Sequence, residues 1–110
     1  MAFYLQISFM NYIRKINSKH GIFNFCNSDL MIGRSLIEYG EFSEIEFSAM
    51  NKFIKDGDII LEIGANIGCF CIPFAKKVGL NGKVYAFEPQ KFIFNLLKKN
   101  IECNELKNVQ

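Results

Sequence analysis

Asp58-Ile-Ile-Leu-Glu-Ile-Gly-Ala-Asn-Ile-Gly68, followed by Val84-Tyr-Ala-Phe-Glu-Pro89, decides the fold. Residues 58–63 form a short β-branched apolar run between turn residues, the pattern of a strand buried in a parallel sheet. A chain that leaves such a strand for a helix through a tight turn needs residues tolerant of positive φ, and little side chain where a ligand lies against the backbone. Gly64 and Gly68 meet that need, and Asn66 between them is among the few non-glycine types that visit the left-handed region readily. The helix that follows is expected from near Ile67 to Val78-Gly79, with Pro73 in its second turn and its positive end aimed back at the turn. Asn81-Gly82 then leads into a second strand, Lys83 to Phe87, parallel to the first because the helix supplies the crossover. Glu88 ends that strand 20 residues after Gly68, where an acid can accept hydrogen bonds from both hydroxyls of a ribose. The unit reads as half of a nucleoside-binding site in an α/β, Rossmann-like domain.

Beyond it, Phe92, Ile93, Leu96, Leu97 and Ile101 repeat as one helical face, and Leu106 to Val109 enter a third strand. The chain stops at Gln110, so later strands and an acceptor pocket are expected to be missing. Upstream, Ser43 and Glu46 have the spacing of a capping box. They open a helix whose apolar face is Phe42, Phe47, Met50, Phe53 and Ile54, and Lys55-Asp56-Gly57-Asp58 ends it. Ile22, Phe23 and Phe25, a turn at Cys26 to Asp29, and Leu30, Met31 and Ile32 read as a hairpin. Residues 1–20 form an N-terminal extension, leaving residues 21–110 as an incomplete domain. Within the extension, Phe3, Leu5, Ile7 and Phe9 alternate as a strand would, while Leu5, Phe9, Ile13 and Ile16 fit a helical stripe, and both readings stay open. So does surface contact with a membrane through this segment.

Composition narrows the classes. Half the residues are hydrophobic and 12 are Phe, the make-up of a chain with a core and not of a disordered one. Net charge is +2, too mild for the concentrated basic face of a nucleic-acid binder. Lys76, Lys77, Lys98 and Lys99 read as solvated residues near helix ends. Cys26, Cys69, Cys71 and Cys103 lack metal or redox spacing and read as free thiols of a reducing cytosol, mostly buried, with no metal site. The lone His20 reads as an exposed residue without a catalytic role. Arg14, Lys15 and Lys19 follow the first apolar run instead of preceding it, which is not the order of a secretory signal. The apolar run Ile59 to Ala75 is too short for a span of about 20 residues and carries Glu62, Asn66 and Pro73, so no transmembrane segment is expected.

Three ligand classes compete for the turn. A phosphate-binding P-loop needs Lys and then Ser or Thr after its second glycine, whereas Gly68 is followed by Cys69. A dinucleotide fingerprint has Gly-x-Gly-x-x-Gly, whereas this chain has Glu62-Ile-Gly-Ala-Asn-Ile-Gly68. That acid-x-Gly-x-x-x-Gly form, with Glu88-Pro89 after the next strand, fits S-adenosylmethionine better. Glu62 also has a purely structural reading as a strand-end ion-pair partner.

The chain resembles the FkbM family of S-adenosylmethionine-dependent methyltransferases over about residues 22–110. The resemblance runs through Ile32-Gly-Arg-Ser-Leu, Tyr39-Gly-Glu-Phe-Ser-Glu-Ile-Glu46, Gly57-Asp58, Glu62 to Gly68, Val84 to Gln90, and Asn100 to Asn108-Val109. It implies the N-terminal half of a class I methyltransferase fold, with Glu62, Gly64, Ala65, Asn66 and Gly68 around the cofactor and Glu88 on its ribose. It further implies a closing segment, Tyr39 to Glu44, that contributes Glu41 and Ser43. Phe42 stands where the family usually has an aromatic residue, often tryptophan, a mild departure. The run Gly68 to Lys77 and Leu97-Lys-Lys-Asn-Ile101 also resemble the tRNA guanine methyltransferases that share this core, but the Tyr-Gly-Glu-Phe segment is of the FkbM kind.

The expectation is therefore a cytoplasmic methyltransferase, its chain holding the cofactor half, that O-methylates a small molecule, sugar or glycan and binds no nucleic acid. No general base is identified. A truncated non-catalytic remnant or binding module, a tRNA guanine methyltransferase-like enzyme and an NAD-binding oxidoreductase are the alternatives.

Overall fold

The computed structural model describes residues 12–110, so the readings that fall on residues 1–11 lie outside the described residues. Strands β1 (Ile13–Ser18) and β2 (Gly21–Cys26) are followed by helices α1 (Ile32–Tyr39) and α2 (Glu44–Asn51). Strand β3 (Ile59–Ile63), helix α3 (Cys71–Val78), strand β4 (Lys83–Phe87) and helix α4 (Lys91–Cys103) complete the order.

The parallel pair is as the sequence requires, with Ile59 opposite Lys83 and Ile63 opposite Phe87. A third chain segment begins on the far side of β4. Val109 bridges Val84 in parallel, with Gln110 N–H donating to Val84 O at 2.9 Å and Ala86 N–H to Gln110 O at 2.8 Å. Strand β3 is not buried on both faces. Ile59, Leu61 and Ile63 are each more than 60% exposed, while Ile60 packs against a core of Phe47, Phe74, Ala75, Val78, Val84 and Leu97. Gly82 makes the close approach of α3 to this sheet possible, because a Cβ there would meet Val78 Cβ at 2.5 Å and Asp58 O at 2.6 Å.

The hairpin differs from its sequence reading. Its strands are Ile13–Ser18 and Gly21–Cys26, antiparallel with Ile16 opposite Phe23, so the helical reading of Ile13 and Ile16 fails. Leu30 and Met31 are exposed and Ile32 begins α1. The cause is Asp29, whose Oδ1 accepts from Met31 N–H at 3.0 Å and Ile32 N–H at 2.9 Å, meeting donors that a helix start leaves open. Gly33 then lets α1 lie on Phe25, since a Cβ there would stand 2.6 Å from Phe25 Cδ2. Phe23, Phe25, Leu36, Ile67, Ile72 and Leu96 form a second apolar cluster between hairpin and helices.

Two helix starts also moved. Helix α2 begins after Ser43, but Ser43 is left-handed (φ 50°) and makes no capping bond. In that conformation its hydroxyl does not reach the helix N–H groups, and Glu46 stays in solvent. On the apolar face read for α2, Phe47 is buried while Phe53 is 81% exposed. Helix α3 begins at Cys71 and not near Ile67, because residues 66–70 are spent in turns. Pro73 is thus the third helical residue, where the N–H it lacks has no intrahelical partner anyway.

Fully buried Asn100 joins these layers. Its Oδ1 accepts from Asn24 N–H at 2.6 Å and Asn24 Nδ2 at 2.9 Å. Its Nδ2 donates to Asn24 O at 3.0 Å and Ile67 O at 2.8 Å. One turn on, Asn104 Oδ1 accepts from Ile22 N–H at 3.0 Å and its Nδ2 donates to Ile22 O at 2.8 Å. Four residues of helix rise about 6 Å and two of strand about 6.6 Å, so the two asparagines match alternate residues of β2.

Candidate functional site

The turn after β3 is built as its residue types require. Gly64 (φ 84°), Asn66 (φ 52°) and Gly68 (φ 101°) all have positive φ. Gly64 N–H and Ala65 N–H both donate to Phe87 O, at 2.8 and 2.9 Å, and Gly68 N–H donates to Ala65 O at 3.0 Å. These bonds pin the start of the turn to the end of β4. A Cβ on Gly68 would come within 3.0 Å of Leu97 Cδ1, whereas one on Gly64 would meet open space.

Glu88 closes the same arrangement from β4. Its Oε2 accepts from Asn66 N–H at 2.9 Å and its Oε1 from Gln90 N–H at 3.0 Å. A carboxylate offers about four lone-pair sites, so acceptor capacity remains on both oxygens for ligand hydroxyls. Glu62 stands differently. It lies on the covered face of β3, where Phe70, Phe74, Met50, Phe53 and Ile54 share a groove of about 410 Å³ with it. Its Oε2 is buried and has no hydrogen-bond partner among the described residues. Burial pushes its carboxyl up to about 7, because an ion is poorly solvated there. A buried, unpartnered acid is costly, and a cationic or N–H-bearing ligand in the groove removes that cost. Among the described residues, the strand-end ion pair considered for Glu62 is not formed.

The structure therefore brings Gly64, Ala65, Asn66 and Glu88 into one bonded group, with Gly68 closing the turn and Glu62 two residues before it on β3. Glu41 and Ser43 stand apart from that group. Glu41 pairs with Lys19 at 3.7 Å and shares a small cleft with Phe42 and Cys69, and Ser43 is spent on the left-handed entry to α2.

His20 is not the exposed, uninvolved residue expected from sequence. Its Nε2 lies 2.6 Å from Glu44 Oε2 and its ring packs on Phe47 with centroids 4.5 Å apart. Burial raises the Glu44 carboxyl, but the bonds from Lys19 and His20 outweigh it and hold the group below its ordinary range. Lys19, His20, Lys76 and Lys77 line one concave surface together with Asn51 and Phe47, and Lys76 Nζ donates to His20 O at 2.6 Å. Only Cys71 of the four cysteines is fully buried. Burial pushes the Cys69 and Cys71 thiols up to about 12, so neither supplies a thiolate near neutral pH. Asn24 and Asn100, which tie Ile67 of the turn to β2, were missed in the sequence reading. The available signal was a polar residue at a buried position of the Leu96, Leu97, Ile101 stripe.

Against known proteins, residues 28–110 match the family model of the TRM5/TYW2 methyltransferase domain. A probable ribosomal RNA small subunit methyltransferase A of Methanosphaera stadtmanae is 42% identical over 60 residues, which is 54% of this chain and 21% of that protein. The catalytic subunit TRM61 of a tRNA (adenine(58)-N(1))-methyltransferase from Yarrowia lipolytica is 36% identical over 56 residues, 51% of this chain and 14% of that protein. The crystal structure of M. jannaschii TYW2 in complex with AdoMet superposes with a TM-score of 0.68 at 27% identity, over 91% of this chain and 42% of that one. The chain thus spans less than half the length of each of these proteins.

The fold is the Rossmann-like class I methyltransferase fold, seen as a partial domain. The matching family model is TRM5/TYW2 and not FkbM. A small-molecule or glycan acceptor without nucleic acid is overturned by the same matches, since the family model is TRM5/TYW2 and two of the curated relatives are named as RNA methyltransferases. Net charge misled that reading: a mild overall surplus conceals three lysines gathered on one surface. Among the described residues, no helix is long and apolar enough to cross a membrane.

Proposed function

This chain belongs to the TRM5/TYW2 methyltransferase domain family, and from that premise we propose that it carries the cofactor-binding region of an S-adenosylmethionine-dependent methyltransferase acting on RNA. The observation that carries the reading is Glu62: a carboxylate whose buried Oε2 has no partner among the described residues, beside a glycine turn whose central N–H is held by a second acid, Glu88. That pair suits a ligand with a cationic end and a ribose. Glu62 would accept from the cationic or amino portion, and Glu88 would accept the ribose hydroxyls with the lone pairs that Asn66 and Gln90 leave. Gly64 and Ala65 keep the backbone close to the ligand, and Asn66 and Gly68 set the turn's shape. S-adenosylmethionine, when bound, supplies an electrophilic methyl group on a sulfonium. The chain's contribution to transfer would be proximity and orientation. Glu41 and Ser43 belong to the same reading as contributors from the segment before α2. The lysine surface supports RNA as partner, because phosphates are neutralised by clustered Lys and Arg.

Calorimetry with S-adenosylhomocysteine and with NAD tests the cofactor. Binding of S-adenosylhomocysteine is expected, and binding of NAD alone would sink the reading. Gel-shift titration with an unmodified tRNA transcript and with a glycan of similar charge tests the partner, and tRNA is expected to bind more tightly.

A further inference from the structure

We propose that Asn100 is a positioning residue for the cofactor turn, and that through it the β1–β2 hairpin braces the turn from outside. The side chain is fully buried, and all four of its hydrogen-bonding positions are used. Two donors of Asn24 meet its oxygen, and its amide hydrogens go to Asn24 O and Ile67 O. The Ile67 bond matters most. The carbonyl of the Ile67–Gly68 peptide is held by Asn100 at 2.8 Å, while the N–H of the same peptide donates to Ala65 O at 3.0 Å. That peptide plane is fixed at both ends, and with it the left-handed Gly68 and the carbonyl-to-amide bond that closes the turn. Asn24 sits on β2, before the residues 28–110 that match the family domain. A strand outside that matched domain therefore sets, through one amide side chain, the orientation of a peptide in the cofactor turn. A buried amide network of this kind is costly when left half satisfied, so its geometry is narrowly specified.

The inference rests on the cofactor reading above, because its effect is read as ligand affinity. The test is calorimetry of S-adenosylhomocysteine on the wild-type chain and on Asn100→Asp, Asn24→Ala and Asn108→Ala, with unfolding midpoints measured alongside. Asn100→Asp keeps size and acceptor but loses both donors, and is expected to weaken binding about tenfold. Asn24→Ala keeps the backbone bonds and is expected to weaken it about threefold. Asn108→Ala removes side-chain bonds to Ala75 O and Gly79 O at 2.8 Å each, far from the turn in sequence. It should lower the unfolding midpoint and leave affinity unchanged. A folded Asn100→Asp that binds as the wild type does overturns the proposal, as does an Asn108→Ala that weakens binding equally. Should Asn100→Asp fail to fold, Asn24→Ala decides, and an unchanged affinity there is the negative result. A wild-type chain that binds no S-adenosylhomocysteine instead refutes the cofactor reading itself.

Discussion

Glu62→Gln should flatten the pH dependence of stability. The folded-state carboxyl sits at about 7 against an ordinary 4.5, so between those values the folded chain keeps a proton that the unfolded chain has lost. Stability then falls as pH rises through that window, and the loss persists above it. With about 1.4 kcal/mol per unit of pKa difference, the full effect is about 3 kcal/mol. Gln has nearly the same shape and no charge, so it removes this slope while the unpartnered position on the groove remains. Urea unfolding of both proteins from about pH 4 to about pH 8 gives the quantity of interest, which is the change in their stability difference across the range. Glu62→Gln should gain about 3 kcal/mol on the wild type between the two ends. Other carboxylates titrate in the same range but cancel in the difference. Profiles that run parallel within about 0.5 kcal/mol, the usual effect of a surface substitution, would show that Glu62 ionises freely and would refute the argument from burial.

Three further outcomes follow from the geometry. A cationic ligand on Glu62 must draw its proton off, so affinity for S-adenosylmethionine should fall by up to about tenfold per pH unit below 7, and Glu62→Gln should lose that slope in calorimetry. Gly33→Ala drives a methyl to 2.6 Å from Phe25 Cδ2 and should cost about 1–3 kcal/mol in denaturant unfolding, with ligand affinity per folded molecule unchanged. Lys76→Glu with Lys77→Glu should weaken tRNA binding and lower the dependence of its affinity on salt by roughly two counterions. An unchanged salt slope would show that RNA does not reach this surface.

Much of the fold was legible because periodicity and turn chemistry agreed over residues 58–110. The strand Lys83–Phe87, its parallel pairing with β3 and the positive φ at Gly64, Asn66 and Gly68 follow from residue types alone. Upstream, local signals competed. Leu30, Met31 and Ile32 are apolar enough for a strand, but Asp29 captured the backbone N–H groups of Met31 and Ile32 for a helix start. Ser43 and Glu46 have capping-box spacing, but the left-handed Ser43 prevents the box, and Glu44 is drawn toward Lys19 and His20. The candidate site divides in the same way. Acids at strand ends can be read from spacing, whereas whether Glu62 is paired, or which backbone groups Asn100 holds, depends on residues tens of positions away. The acceptor class was misread because net charge averages over a whole surface and so conceals Lys19, Lys76 and Lys77 gathered on one part of it.

Asn100 and Asn104 have one further effect, on what the hairpin can join. The outward N–H and C=O groups of Ile22 and Asn24 are the open rim of a two-stranded ribbon, and an unpaired rim is a template for another molecule's strand. Here a helix supplies the hydrogen bonds that a third strand would make. The β2 edge of the ribbon is closed without a strand, and in the folded chain those groups are withheld from intermolecular sheet growth.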